Sequence, residues 1–316
     1  MNTVRDATRF DRQDGTLPAS GEVRIDTFVD RSHAYRGRNL PNAMSVDVED
    51  YFQVSAFENH ISRGDWDTIP ARLPHNIARI LEMFEEQQVK ATFFTLGWVC
   101  EKHPAMIREI VAAGHELASH GHDHARVWNL GRARFLDDVR ATRERLEDLS
   151  GQKVSGYRAP SFSIGQQSLW AYAALQEAGY VYSSSVFPIR HDHYGLPGAP
   201  RFPFLAGAGG LLEIPMSSVK VMGRNWPCSG GGYFRLFPLA YSKWAMHRIN
   251  RQESMPAIFY FHPWEIDPEQ PRVAGLPART RFRHYVNLGA FEARLRTVLK
   301  EFRWGRMDEI FLDSAS

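Results

Sequence analysis

Cysteine is nearly absent from this chain: Cys100 and Cys228 are the only two in 316 residues. That excludes a disulfide framework and suits unpaired packing roles in a reducing compartment. Long apolar runs are missing as well. No stretch approaches the roughly eighteen apolar residues of a membrane-spanning helix, and residues 1–40 hold no apolar core of the roughly seven or more that a signal peptide needs. The expected location is therefore cytoplasmic, or peripheral to the inner membrane. Charge of one sign is lacking too. Thirty-eight Lys and Arg against 36 Asp and Glu leave a net charge of +2, which argues against a nucleic-acid partner. No internal repeat suggests a solenoid. The glycines at 230–232 lack the lysine of a phosphate-binding loop, so nucleotide binding is not expected.

What is present is a series of apolar runs that end in ionisable groups. The run Glu116-Leu-Ala-Ser119 leads into His120-Gly-His-Asp-His124, where two imidazoles four residues apart would share one face of a helical turn and converge on a metal ion. A site with two neutral histidines normally takes an anionic oxygen ligand. Ser45-Val-Asp-Val-Glu-Asp-Tyr51 offers three, Asp47, Glu49 and Asp50, at the end of another predicted strand. Acids so crowded repel one another unless a cation neutralises them. Gly156-Tyr-Arg-Ala-Pro-Ser161 presents Arg158 before a stiffening Pro160, and the run 256–261 ends in His262.

Between these runs lie helical patterns. Ile77, Ile80, Leu81 and Phe84 share one face of residues 74–84, and Pro104 and Gly114 bracket a helix over 105–113. Further helices are predicted at 131–149, 168–178 and 239–250, and further strands at 89–95, 154–158, 180–186 and 211–215. The Pro- and Gly-rich residues 188–210 read as a long loop. Alternating strands and helices predict an α/β fold. Residues 1–40 read as a mobile or peripheral extension.

In order and spacing these motifs resemble the NodB-homology polysaccharide deacetylases of carbohydrate esterase family 4, over roughly residues 42 to 265. The family's T-F-D-D-G start is stretched here to Ser45-Val-Asp-Val-Glu-Asp50, and its H-[S/T]-x-x-H pair corresponds to His120 and His124. Its R-x-P element matches Arg158-Ala-Pro160, and its late L-x-H element is approximated by Tyr260-Phe-His262. Its Y-D-S-S stretch becomes Tyr182-Ser-Ser-Ser185, which lacks the acid that would orient the family's general-acid histidine. The D-V-E-D-Y-F start, Ser184-Ser-Val-Phe-Pro188 and the F-H-P-W-E ending are similar to a subgroup associated with exopolysaccharide loci.

The resemblance implies a distorted (β/α) barrel of about seven strands in one catalytic domain over 41–316, with a subgroup-specific part from about 195. It implies a metal-dependent hydrolase removing N-acetyl groups from amino sugars of a glycan. Asp47 would be general base and His262 general acid, with Arg158 paired to Asp47. A divalent ion would be held by His120, His124 and either Glu49 or Asp50. Zinc is the expected ion, with cobalt or nickel suiting the same ligands. The N–H of Ser161 after Pro160 would complete an oxyanion hole. Trp226 and Tyr233, from their own aromatic character, read either as rings that pack against the barrel rim or as rings that stack on a sugar. Two other readings remain open: a small cyclic-amide hydrolase resembling allantoinase, and a carbohydrate-binding protein with a degraded site.

Overall fold

The apolar runs form strands buried on both faces, as parallel sheets covered by helices require. The computed structural model describes residues 23–192, 194–207 and 209–312. Its strands are β1 (Val29–Asp30), β2 (Asn42–Val48), β3 (Thr92–Thr95), β4 (Glu116–Ser119), β5 (Gly156–Tyr157), β6 (Tyr182–Ser183), β7 (Phe204–Ala206), β8 (Leu211–Glu213), β9 (Ser218–Val221), β10 (Arg224–Pro227), β11 (Ile258–Phe261) and β12 (Trp304–Gly305). Seven lie side by side and parallel in the order β11, β2, β3, β4, β5, β6, β8. This is the expected distorted barrel of about seven strands. β12 adds in parallel to the start of β2, and β7 and β1 extend the far edge antiparallel.

Helices fill the crossovers: α1 (Leu73–Glu86), α2 (Gly97–Lys102), α3 (Pro104–Ala112), α4 (Val127–Ser150), α5 (Ala171–Glu177), α6 (Gly231–Leu236), α7 (Leu239–Arg251), α8 (Ala278–Tyr285), α9 (Leu288–Glu301) and α10 (Met307–Phe311). On α1, Ile77, Ile80 and Phe84 are buried as their spacing predicts, whereas Leu81 only packs against the margin of the core. α3 begins at its proline and gives way to Gly114 at φ 81. α4 starts four residues before the expected 131, because a first turn precedes a break at Gly131 (φ 69, ψ 165).

Several boundaries differ from expectation. Residues 1–22 of the expected extension lie outside the described residues. The rest is built into the body: β1 pairs with β7, and the Tyr35 hydroxyl donates to the Phe311 carbonyl at 3.1 Å. The loop at 188–210 contains β7, whose buried Phe204 packs on Phe28 at 4.5 Å. The stretch before α6 holds the β9–β10 hairpin, turned at Met222 and Gly223 with φ 48 and 78. Both residues take positive φ, as a two-residue hairpin turn does. The cysteines are free and buried, and burial pushes their thiols up to about 11 for Cys100 and about 12 for Cys228. Among the described residues no helix is long and apolar enough to cross a membrane.

Beside the main core, Tyr51, Phe52, Phe57 and Trp66 pack with Trp264, Leu276 and Leu288 in a second cluster. It joins the segment after β2 to the segment after β11.

Candidate metal and catalytic centre

The parallel strands open toward one end, where α/β folds gather their reactive groups. β2 delivers Asp47 and, one residue past its end, Glu49, whose N–H bonds back to the Asp47 carbonyl at 3.0 Å. β4 is followed directly by His120, and β5 by Arg158. β11, neighbour of β2, is followed by His262. Residues spread over more than two hundred positions thus meet at adjacent strand ends.

Glu49, His120 and His124 are all buried, with one ligand atom from each within 4.8 Å of the others. Glu49 Oε2 is 2.9 Å from His124 Nε2 and Oε1 is 3.4 Å from His262 Nε2. Yet among the described residues Oε2 has no hydrogen-bond partner of acceptable geometry. An unsatisfied carboxylate oxygen at full burial is costly, and a cation between the imidazoles would satisfy it. His120 Nδ1 faces the Arg158 carbonyl at 2.8 Å. A carbonyl only accepts, so Nδ1 carries the proton and Nε2 is left as a ligand atom. Ser55 Oγ stands 3.4 Å from His124 Nδ1, which again leaves Nε2 inward. The three residues fit a divalent ion.

Electrostatics agree. Burial pushes the Glu49 carboxyl up, but His124, His262 and His120 together outweigh it and hold the group at about 2. Burial drops His120 to about 4 despite the Asp47 charge, keeping the ring neutral as metal ligation needs. His262 goes the other way. Burial lowers it, but the hydrogen bond to Glu265 and the charges of Glu49, Glu265 and Asp47 carry it to about 9.

The pairing expected of Arg158 is present: Nη1 donates to Asp47 Oδ1 at 2.5 Å and to Ser45 Oγ at 3.0 Å. Its guanidinium lies 4.0 Å over the Phe94 ring. Ser184 holds the other edge, its carbonyl taking Nε at 3.0 Å and its hydroxyl taking Nη2 at 3.1 Å. Tyr182-Ser-Ser-Ser185 therefore braces the arginine through Ser184 and sends no acid to His262, whose Nδ1 lies 3.1 Å from Glu265 Oε2. Glu265 also accepts from Arg235 Nε at 2.7 Å. A Cβ on Gly231 would collide with Glu265 Oε2, so α6 can approach this closely only through a glycine.

Other sequence expectations need correction. Asp50 is not among the clustered ligands. Its Oδ2 accepts the N–H groups of Arg72 at 2.7 Å and Leu73 at 2.9 Å, so it binds the first turn of α1. The two histidines do not share a helical turn. The chain from 120 to 124 is irregular, and Gly121 (φ 74) and His124 (φ 57) fold the rings together, centroids 5.4 Å apart. Trp226 stands on β10, which pairs only with β9 among the described strands, and at 47% exposed it is not brought to the centre. Tyr233 lies at the rim: its hydroxyl meets that of Tyr194 at 3.4 Å, and Tyr194 packs on Phe162 beside Tyr260. Pro160 is buried and begins a tight turn in which Ser161 takes φ 54. Ser161 Oγ meets Ser55 Oγ at 2.5 Å, at the edge of His124. His122 stays outside the ligand group, its N–H bonded to Asp138.

Sequence reasoning missed Ser55, Arg235 and the bracing of Arg158 by Ser45 and Ser184. Ser45 shares the Asp47 face by alternation; Arg235 has no local signal at all.

Comparison with known proteins bears on both halves of the chain. Residues 65–182 match the polysaccharide deacetylase family model, and residues 184–312 match a domain of unknown function, DUF3473. A peptidoglycan-N-acetylglucosamine deacetylase of Bacillus cereus is 31% identical over 94 residues, 29% of this chain and 34% of that protein. A chitooligosaccharide deacetylase of Rhizobium leguminosarum bv. trifolii is 41% identical over 51 residues, 16% of this chain and 24% of that protein. The matched stretches thus span about a third or less of these relatives' lengths. In fold, a Mycobacterium smegmatis protein classed among polysaccharide deacetylases superposes with a TM-score of 0.53 at 20% identity, covering 85% of this chain and 89% of its own. Puue allantoinase does so with 0.53 at 14% identity, covering 85% and 87%. Residues 65–182, which carry β3, β4, β5 and the histidines of the cluster, are thus similar to the polysaccharide deacetylase family, and the likeness to the solved structures extends the shared fold over most of the chain.

Proposed function

We propose that this protein is a metal-dependent hydrolase that removes N-acetyl groups from amino sugars of a glycan or its precursor. The observation that carries the reading is the unsatisfied Glu49 oxygen between His120 and His124, next to an Arg158-held Asp47 and within reach of His262. A divalent ion bound there, zinc in this reading, supplies Lewis acidity to the acetyl carbonyl and lowers the pKa of water to about 7. Asp47 takes the proton of the attacking water, its orientation fixed by the bond from Arg158 to Oδ1. The Ser161 N–H, presented by the tight turn after Pro160, faces the developing oxyanion. His262 Nε2, directed toward Glu49, gives a proton to the departing amine. The variant D-V-E-D-Y-F start supports an exopolysaccharide as the polymer. The gathered ligands and intact Asp47–Arg158 pair speak against a degraded, merely binding site.

A small cyclic amide is the second reading. It is favoured by the enclosure of the ligand groups and by the small size of the cleft beside His124, lined by Phe52, Ser55 and Trp66 among others. The test is acetate release from N-acetylglucosamine oligosaccharides, run beside ring opening of allantoin, with the zinc-loaded and the chelated protein. Metal-dependent acetate release is expected, and His262→Ala should lower it about a hundredfold or more while sparing an acetyl ester. Ring opening without acetate release would replace the glycan reading with the amide one.

A further inference from the structure

Glu265 lies three residues after His262 and is fully buried, as is nearly all of Arg235. One carboxylate oxygen, Oε2, accepts from the His262 N–H at 3.0 Å and from Nδ1 at 3.1 Å. The other accepts from Arg235 Nε. Arg235 is itself held: Nη1 donates to the carbonyls of His284 at 2.8 Å and Val286 at 2.9 Å, and the guanidinium lies 5.4 Å over the Trp264 ring. Trp264 also stacks on His262, 5.1 Å away and 18° from parallel. The imidazole is thus fixed in plane by Trp264 and in rotation by Glu265. Its Nε2 points into the site, 3.4 Å from Glu49.

We propose that Glu265, braced by Arg235, is the positioning residue that sets the tautomer and orientation of His262, in place of the acid absent from Tyr182-Ser-Ser-Ser185. An ionised carboxylate can only accept, so Nδ1 must be the protonated nitrogen of the neutral ring, and Nε2 is the nitrogen free to receive and release a proton. Neither Glu265 nor Arg235 touches the reacting atoms. The inference rests on the reading of His262 as proton donor. It also gives a role to the segment that matches a domain of unknown function, since Arg235, His262 and Glu265 all fall within it.

Glu265 also closes the turn Pro263–Ile266, which by itself would be a purely structural role. Imidazole nitrogen NMR of the full-length, zinc-loaded protein separates the two, with His262→Gln identifying the resonance. The neutral wild-type ring should show the Nδ1–H tautomer, and Glu265→Gln should shift it toward Nε2–H. In the same variant, kcat on an N-acetyl oligosaccharide should fall about tenfold to a hundredfold with KM and metal content little changed. Activity on an acetyl ester should fall less. Glu265→Asp, which keeps the charge beside Arg235, should retain part of the amide activity. A wild-type Nε2–H tautomer overturns the proposal without any variant, and so does an equal loss on amide and ester. A wild-type protein with the Nδ1–H tautomer and no acetate release would sink the deacetylase reading while leaving the positioning of His262 in place.

Discussion

Glu49 and Asp50 are adjacent carboxylates with opposite surroundings. The first faces three imidazoles, the second the backbone N–H groups of Arg72 and Leu73 where α1 begins. His120→Ala and His124→Ala should each abolish metal uptake, measured by elemental analysis, with the fold retained in circular dichroism. Glu49→Gln should do the same, whereas Asp50→Asn should keep its metal; the reverse result would reassign the ligand. Asp47→Asn should bind metal normally yet lose about a hundredfold to ten-thousandfold in turnover. At this scale the sequence is legible wherever a residue follows a strand directly, as His120, Arg158 and His262 do. It leaves Glu49 against Asp50 open, because the choice depends on one turn after Val48 that closes by a backbone bond and has no residue signature.

α1 starts without a capping side chain from its own Arg72. Asp50 supplies the anion from the end of β2, at the positive pole of the helix. Asp50→Ala should therefore destabilise the protein by about 1–3 kcal/mol in urea unfolding without removing the metal; loss of metal in step with stability would tie the two together. Elements with strong periodicity, such as α1 and α7, are readable in the chain. The β9–β10 hairpin is not, since its turn is made by Met222 and Gly223 in place of the Asn-Gly or Asp-Gly that signals such turns. β7 hides within a proline- and glycine-rich stretch because three residues carry too little pattern to stand out.

Across the whole molecule, the opposite end of the barrel holds its own buried acid. Glu116, at the start of β4, accepts bonds from Thr92, Tyr182 and the Asp308 N–H. Burial, with the Asp308 charge adding to it, pushes its carboxyl up to about 8. Between its unfolded pKa near ~4.3 and this folded value, the native state keeps a proton that the unfolded chain releases. This contribution to stability is therefore full below that unfolded value and declines as pH rises toward 8, by up to ~1.4 kcal/mol per pH unit. Denaturant titrations at pH 5 and pH 8 should show the decline, and Glu116→Gln should flatten it; an unchanged slope in the variant would assign it elsewhere. The alternation of strands and helices makes the barrel legible from sequence. What joins its first strand to β11 and β12 is pairing between distant segments, which no local pattern records.

The three glycines at 230–232 look interchangeable in the sequence, but their surroundings are not. A methyl group at 230 would meet the Tyr260 ring at 2.5 Å, and one at 231 would meet Glu265, while one at 232 would meet nothing within 4 Å among the described residues. Under random mutagenesis with selection for acetate release, the third codon should drift freely and the first two should stay silent-site variable only. A tract that a compositional filter would score as a dispensable spacer would thus yield two of the most intolerant positions in the chain, side by side with one of the most permissive.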